Sequence, residues 1–322
     1  MRSINKSSVL ALALVAATLP RMAAAQPLDR DLDSYFLFAQ KNVQLKDMRV
    51  DTACNIGVNC AKPNANSNCG VAGFEKVFMA DGGQLAADDV NFSTAGASVW
   101  QLFTNEAFVA GNVTIRKPPA ENFATPIIAG TCGPNCTPIN AAIEVACGFP
   151  APFPSCDQAS TVIVQPGIDC IGAVDSTPGN SRCNLPPGTY GDIIVKDGGN
   201  LDMVAGDYNV CSLLVGKNAN VTGGSSVINI EGIRPMGFRV SNQSHFGGTC
   251  GDFTIRIKGD SDVQFGKSSK IAAKVCAPES SIGLGHLNTL IGQFVGDSIN
   301  ANRGNTGICC EPGGDCTCID SF

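Results

Sequence analysis

Two imidazoles stand in the chain, His245 in "SNQSHFGG" and His286 in "GLGHLNT". They are the side chains that titrate near neutral pH without help from their surroundings. Both lie in Gly-, Ser- and Asn-rich turn sequence, where an imidazole is ordinarily solvated. A Ser/His/Asp relay would need Ser244 or another hydroxyl beside one of them, and no nucleophile-elbow glycine pattern surrounds it. Asp260-Ser261-Asp262 and Asp88-Asp89 offer the oxygen donors that calcium takes. Neither the twelve-residue calcium loop nor the glycine-rich nonapeptide repeat accompanies them. Cys309-Cys310 and Cys316-x-Cys318 lack the paired C-x-x-C arms of a structural zinc site. A C-x-x-C-H haem attachment sequence and a phosphate-binding Gly-Lys loop are also missing from the sequence. The residues therefore assign no catalytic, cofactor-binding or metal-ligating role, and no cofactor.

What the chain does carry is rhythm. In "DIIVKDGGNLDMVAGDYNVCSLLVGKNANV", residues 192–221, Ile193-Ile194-Val195 returns as Leu213-Leu214-Val215 and Leu201 returns as Val221. Apolar residues at alternate positions share one face of a strand. The same template recurs at Phe238, Val240 and Phe246; at Ile255, Ile257 and Val263; at Val263, Phe265 and Ile271; and at Ile282, Leu284 and Leu290. Starts at 193, 213, 238, 263 and 282 are 20, 25, 25 and 19 residues apart. Upstream, "VFMADGGQL" from Val77 to Leu85 parallels "IIVKDGGNL" of residues 193–201. Short strands, small polar turns and a period of this size predict a solenoid. An all-β, right-handed parallel β-helix fits best, with right-handedness taken from the crossover rule. A β-sandwich, which also uses short strands and close turns, is the alternative.

The period allows a search for paired carboxylates, which sugar-cleaving enzymes need on one outer face. One outward column would carry Asp197, Lys217, Asn242, Lys267 and His286; another would carry Asn200, Asn220, His245, Lys270 and Thr289. Neither sets two carboxylates on neighbouring coils, so both read as solvated polar ladders.

Composition bounds the rest. Residues 1–25, with Arg2, Lys6, an apolar run and Ala23-Ala24-Ala25, read as a signal peptide cleaved after Ala25. The apolar run is too short to span a bilayer, and no second one is longer, so no membrane span is expected. Loss of Arg2, Lys6 and Arg21 takes the formal charge from −6 to −9. An acidic chain is a poor partner for nucleic acid. All 16 cysteines lie after Ala25, which suits an oxidising, extracellular or cell-surface location. Between Pro118 and Pro187 sit 12 of the 18 prolines and six of the cysteines, a composition unfit for regular coils. The expected organisation is N-terminal coils over 26–117 with a short helical cap near 28–40, a disulfide-stapled loop insertion over 118–187, C-terminal coils over 188–308, and a Cys-rich cap over 309–322. The caps would close the two open ends.

"LPPGTYGDIIVKDGGNLDMVAGDY" (185–208) and "KIAAKVCAPESSIGLGHLNTLIGQFVGDSI" (270–299) resemble β-helical modules of bacterial secreted and cell-surface proteins, of adhesin-like and pilus-associated types. "FLFAQKNVQLKDMRVD" (36–51), with Ile56 to Asn59 after it, is similar to the first coils of such proteins. The resemblance implies a surface or structural role and supplies no catalytic residues.

The expected function is a non-catalytic exported protein of a surface, matrix, appendage or adhesion system. Its expected partners are copies of itself or other surface components, and glycans if it is an adhesin. A polysaccharide-cleaving β-helix, with the insertion walling a groove, is the competing expectation.

Overall fold

The computed structural model describes residues 35–50, 55–58, 71–74, 76–79, 84–87, 89–92, 101–103, 106–109, 113–115, 147–167, 183–249 and 251–308, with side chains outside 71–115. Residues 1–34 and 309–322 lie outside this set, and so do the expected signal peptide, Asp88, Cys309, Cys310, Cys316, Cys318 and most of the insertion.

Every described element is a strand, numbered in chain order from β1 (Tyr35–Leu45) to β26 (Asn305–Ile308), and every pairing between them is parallel. The fold is a parallel β-helix. Each lower coil is three strands around a triangular section: β14 (Asp192–Val195), β15 (Asn200–Met203) and β16 (Gly206–Val210) make one. β17 (Ser212–Val215), β18 (Asn220–Gly223) and β19 (Ser226–Ile230) make the next. The third is β20 (Met236–Val240), β21 (His245–Phe246) and β22 (Phe253–Ile257).

Higher up, the corners are absorbed into long strands. β23 (Asp262–Phe265) leads into the 15-residue β24 (Lys270–Leu284), which pairs in turn with β21, β22 and β23. β25 (Thr289–Ala301) repeats that path one coil on, with a register shift between Ala277 and Ser281.

The expected register is the observed one in this half. Val162, Ile193, Leu213, Phe238, Val263, Ile282 and Ile299 are successive Cα partners on the first face. All seven are buried, because alternation turns them inward while their neighbours face out. Ile255, eight residues from Val263, belongs to the third face, where it partners Ile228 and Val275. A string of aromatic contacts fills the lumen, tilted between Phe253 and Phe246 and edge-on from Phe246 through Phe238, Phe265 and Phe294 to Phe36.

The order of stacking departs from the order of the chain. β1 lies directly on β25, with Val43 partnering Ile299 and Leu45 partnering Ala301. β2 (Met48–Val50) lies on β26. On its far side β1 carries β3 (Asn55–Val58) and β4 (Val71–Phe74), and the first-face register runs on through Ala72, Val90 and Val113. Eleven rungs follow one another on that face, about 48 Å of rod at the usual strand spacing.

Three expectations change accordingly. Residues 35–40, expected within a helical cap, are strand, since β1 is hydrogen-bonded on both sides and Tyr35 to Ala39 are buried. Tyr35 and Ile308, near which the end caps were expected, sit beside the middle rungs of the rod. Val77 does not enter the Ile193 column: in β5 (Lys76–Met79) it partners Met48 of the second face, and Leu85 partners Ile56 of the third. The template is a strand–corner–strand signature, and all three corners of a triangular coil share it.

The insertion expected over 118–187 is corrected as well: Val162–Val164 and Cys183–Leu185, which contain no proline, are ladder strands, so one described end of the rod lies inside the Pro/Cys-rich segment and the other just before it. At one, β11 (Val162–Val164), β12 (Cys183–Leu185) and β13 (Gly188–Thr189) pair only with β14, β15 and β16 among the described residues. At the other, β8 (Gln101–Phe103), β9 (Glu106–Val109) and β10 (Val113–Ile115) pair only with β5, β6 (Gln84–Ala87) and β7 (Asp89–Phe92).

Candidate functional site

Asn200, Asn220, His245, Lys270 and Thr289 are successive ladder partners on the second face, as their spacing predicts, and the row runs on to Thr306 and Arg49. No carboxylate enters it. Asp197, Lys217, Asn242, Lys267 and His286 stack at the corner between the first and second faces. There Gly198 N–H donates to the Lys217 carbonyl, Asn218 N–H to that of Asn242, Gln243 N–H to that of Lys267, and Ser268 N–H to that of His286. The acid and the amide in this column fasten the corners: Asp197 Oδ1 accepts from Lys217 N–H at 2.8 Å and Asn242 Oδ1 accepts from Lys267 N–H at 2.8 Å. His245 and His286 fall in different columns, and both are exposed. Ser244, the hydroxyl nearest His245 in sequence, is buried and donates to the Gly216 carbonyl at 2.6 Å, which leaves it no role as a nucleophile.

Two residues on from that corner column lies a buried ladder of hydroxyl and amide side chains. Ala219 N–H donates to Ser244 Oγ, Ser244 N–H to Ser269 Oγ, Ser269 N–H to Asn288 Oδ1 and Asn288 N–H to Asn305 Oδ1. All four side chains are at most 2% exposed. Buried main-chain donors must find acceptors, and the corners obtain them from the coil above. The signal was present as a small polar residue recurring at 244, 269, 288 and 305, just before or at the start of each second-face strand.

Of the expected loop-rich insertion, residues 147–167 and 183–187 are described, and 147–160 form a strap running down the outside of the third face. Cys147 is bonded to Cys276 on β24 and Cys156 to Cys211 at the foot of β17. Between these staples Gly148 lies over the Arg256 guanidinium, and the Lys258 ammonium stands 5.4 Å from the centre of the Phe153 ring. Below, Gly191 N–H donates to the Ser160 carbonyl. The strap runs over the Asn209–Asn229–Arg256 row, in which Asn229 Nδ2 donates to Asn209 Oδ1 at 3.1 Å.

Among the described residues one set of potential metal ligands converges: Cys156, Cys211 and Glu231, with ligand atoms within 4.8 Å of one another. Both sulfurs are spent in the Cys156–Cys211 disulfide. Glu231 Oε2 accepts from Cys156 N–H at 2.9 Å and lies 2.9 Å from the Cys156 sulfur, so the carboxylate seats the staple. Asp260-Ser261-Asp262, weighed above for calcium, is a corner in which the buried Ser261 hydroxyl donates to the Arg234 carbonyl.

A shallow groove lies on the first face, about 310 Å³ and lined by Asp262, Gln264, Ser281, Gly283, Asn300 and Asn302 among others. It exists because Gly283 takes the outward position between Gln264 and Asn300. Its polar groups are amides, a hydroxyl and one carboxylate, Asp262. Such a floor can hydrogen-bond a polar ligand. It does not provide the acid–base pair that glycosidic cleavage uses.

Comparison with family models, with curated proteins and with solved structures finds no match to this chain. The likeness to secreted modules thus rests on the residues quoted above, and the parallel β-helix rests on the ladder itself. The disulfides of the strap belong to an oxidising environment. Among the described residues no helix is long and apolar enough to cross a membrane.

Proposed function

We propose that this chain is an exported, non-catalytic structural rod of a surface layer, matrix or appendage, which stacks on copies of itself through its ends. The observation that carries the reading is the ladder itself, in which every described pairing is parallel and the outermost described rungs present the same three faces. Parallel strands with a free edge are templates for further strands. The two ends present the same three faces in the same strand direction, so a second copy continues the ladder without a change of symmetry. Heterologous contacts of this kind build open filaments. The adhesin-like and pilus-associated resemblance of residues 185–208 and 270–299 supports the same role. So does the ladder register, in which no pair of described partners joins two carboxylates. Negative-stain electron microscopy of the purified mature chain across a concentration series tests the reading. Filaments with the width of a single rod are expected; dispersed single rods at the highest concentration would reject end stacking.

A second reading is favoured by the groove at Gly283: a glycan held without turnover by Gln264, Asn300 and Asn302. Binding on a panel of acidic and neutral glycans supports it, while released reducing-end or unsaturated products would instead mark the chain as a polysaccharide-cleaving enzyme.

A further inference from the structure

The cations of the described coils are not spread evenly round the rod. At the corner between the first and second faces stand Lys217, Lys267 and His286, and on the adjacent second-face row stand His245 and Lys270. All five are exposed. They occupy four successive rungs, about 14 Å of rod at the usual strand spacing. Asn220, Asn242 and Thr289 fill the remaining positions, so from Lys217 to Thr289 neither column contains a carboxylate. Below, Asp197 and Asp202 bound the strip, and each is already engaged: Asp197 accepts from Lys217 N–H, and Asp202 accepts from Thr222 Oγ1 at 3.1 Å. Above, Arg303 and Arg49 continue the two columns, both engaged with other groups.

This distribution runs against the charge of the chain, which is −6. The exposed carboxylates Asp260, Asp262 and Glu279 lie at another corner, between the third and first faces. Like charges on neighbouring strands repel. Ion pairs relieve that cost elsewhere, for Lys41 with Asp297 and for Arg234 with Asp192. Among the described residues the ammonium groups of Lys217, Lys267 and Lys270 have no carboxylate partner of this kind.

We propose that this strip is the docking site of an acidic polysaccharide, laid along the rod axis with its acidic groups on Lys217, Lys267 and Lys270. Three features select that partner over other polyanions. The strip is one corner and one strand row wide, and its cations recur along a line at multiples of the rung spacing, which suits a linear chain charged at regular intervals. Asn220, Asn242 and Thr289 are interleaved with the ammonium groups and supply donors and acceptors for sugar hydroxyls. No Phe, Tyr or Trp stands in either column over these rungs, so the strip lacks the stacking platform on which single-stranded nucleic acid is held. A duplex would call for a broader basic surface than an acidic chain provides. The proposal rests on the reading of the chain as an exported surface component. It adds a ligand on the side of the rod, away from its described ends and sharing no lining residue with the Gly283 groove.

Binding of the purified mature chain to polygalacturonate, with dextran as the uncharged control, is measured by isothermal titration calorimetry at low and raised salt. Polygalacturonate should bind and dextran should not, and the binding should weaken as salt screens the exposed charges. Lys267→Gln/Lys270→Gln should lower the affinity about tenfold, the combined effect of two exposed charge contacts. Lys258→Gln/Lys274→Gln removes the same charge from exposed positions on the third face and should leave the affinity unchanged. An equal fall in both variants would overturn the proposal. So would equal binding of dextran, single-stranded DNA held as tightly as polygalacturonate, or no binding of polygalacturonate. Filament growth through the rod ends is read separately by electron microscopy and does not depend on these lysines, so the two readings fail independently.

Discussion

Phe36 fills the space that Gly307 leaves empty. A Cβ at Gly307 would fall well inside van der Waals contact with the Phe36 ring, and that ring meets Phe294 edge-on at 5.8 Å. The N-terminal strand is thus keyed into the last coil of the C-terminal block by a knob and a hole separated by most of the chain.

Gly307→Val closes the hole. Overpacking of a filled core costs about 1–3 kcal/mol, and the cost here falls on the joint. Denaturant unfolding should show the lowered midpoint. Phe36→Ala in the same chain relieves the clash, so the double variant should be more stable than the sum of the two single effects; strict additivity would disprove the keying.

Asn288→Ala removes the acceptor for Ser269 N–H inside the corner ladder. A buried donor left without a partner costs about 1–3 kcal/mol, read as a fall in thermal midpoint. Asn288→Ser, which restores the hydroxyl used at Ser244 and Ser269, should cost less than the alanine.

Replacing Cys156 and Cys211 together by serine releases the lower staple of the strap. Loss of a disulfide closing a loop of this size removes about 2–4 kcal/mol. Limited proteolysis should then cut between Phe149 and Ala159, a stretch that stays intact in the parent protein. An unchanged digestion pattern would show that the strap is held by its other contacts.

Tyr208 ties the stability of the lower end to alkaline pH. Burial, with smaller contributions from Tyr190 and Asp202, pushes its hydroxyl above the usual 10.0. In the folded state that hydroxyl is 2.7 Å from the Leu185 carbonyl and 2.6 Å from that of Val204. The folded chain therefore keeps a proton that the unfolded chain releases. The stabilisation is whole below pH 10.0 and is lost progressively as the pH climbs beyond it. Circular dichroism and the tyrosinate absorbance, followed together from neutral to strongly alkaline pH, should show Tyr208 ionising only as the fold is lost. Tyr208→Phe removes this dependence together with the two carbonyl contacts.

The lower half of the rod was legible because each coil there repeats one local decision. Ile193, Leu213, Phe238, Val263 and Ile282 alternate with polar neighbours and are separated by short corners, so their inward facing and their register follow from spacing alone. The polar rows from Asn200 to Thr289 were legible for the same reason. The parallel between Val77–Leu85 and residues 193–201 does not fix a face, because three equivalent corners carry one signature and a nine-residue match cannot tell them apart.

By itself, then, the sequence determined an all-β chain of parallel coils and the inward residues of its lower half, since both depend on short-range alternation; proline content alone set the edge of the coils too late, because Val162–Val164 and Cys183–Leu185 lie free of proline and join the ladder. Only the tertiary structure decided that the N-terminal strands stack on the last C-terminal coil, that strands at 162–164 and 183–185 extend the lower ladder into the Pro/Cys-rich segment, and that residues 147–160 strap the third face. Those are choices between segments far apart in the chain, and any compatible strand edge would satisfy the local pattern. Side-chain fit resolves them at particular places, with Phe36 in the gap at Gly307 and Cys147 within bonding distance of Cys276.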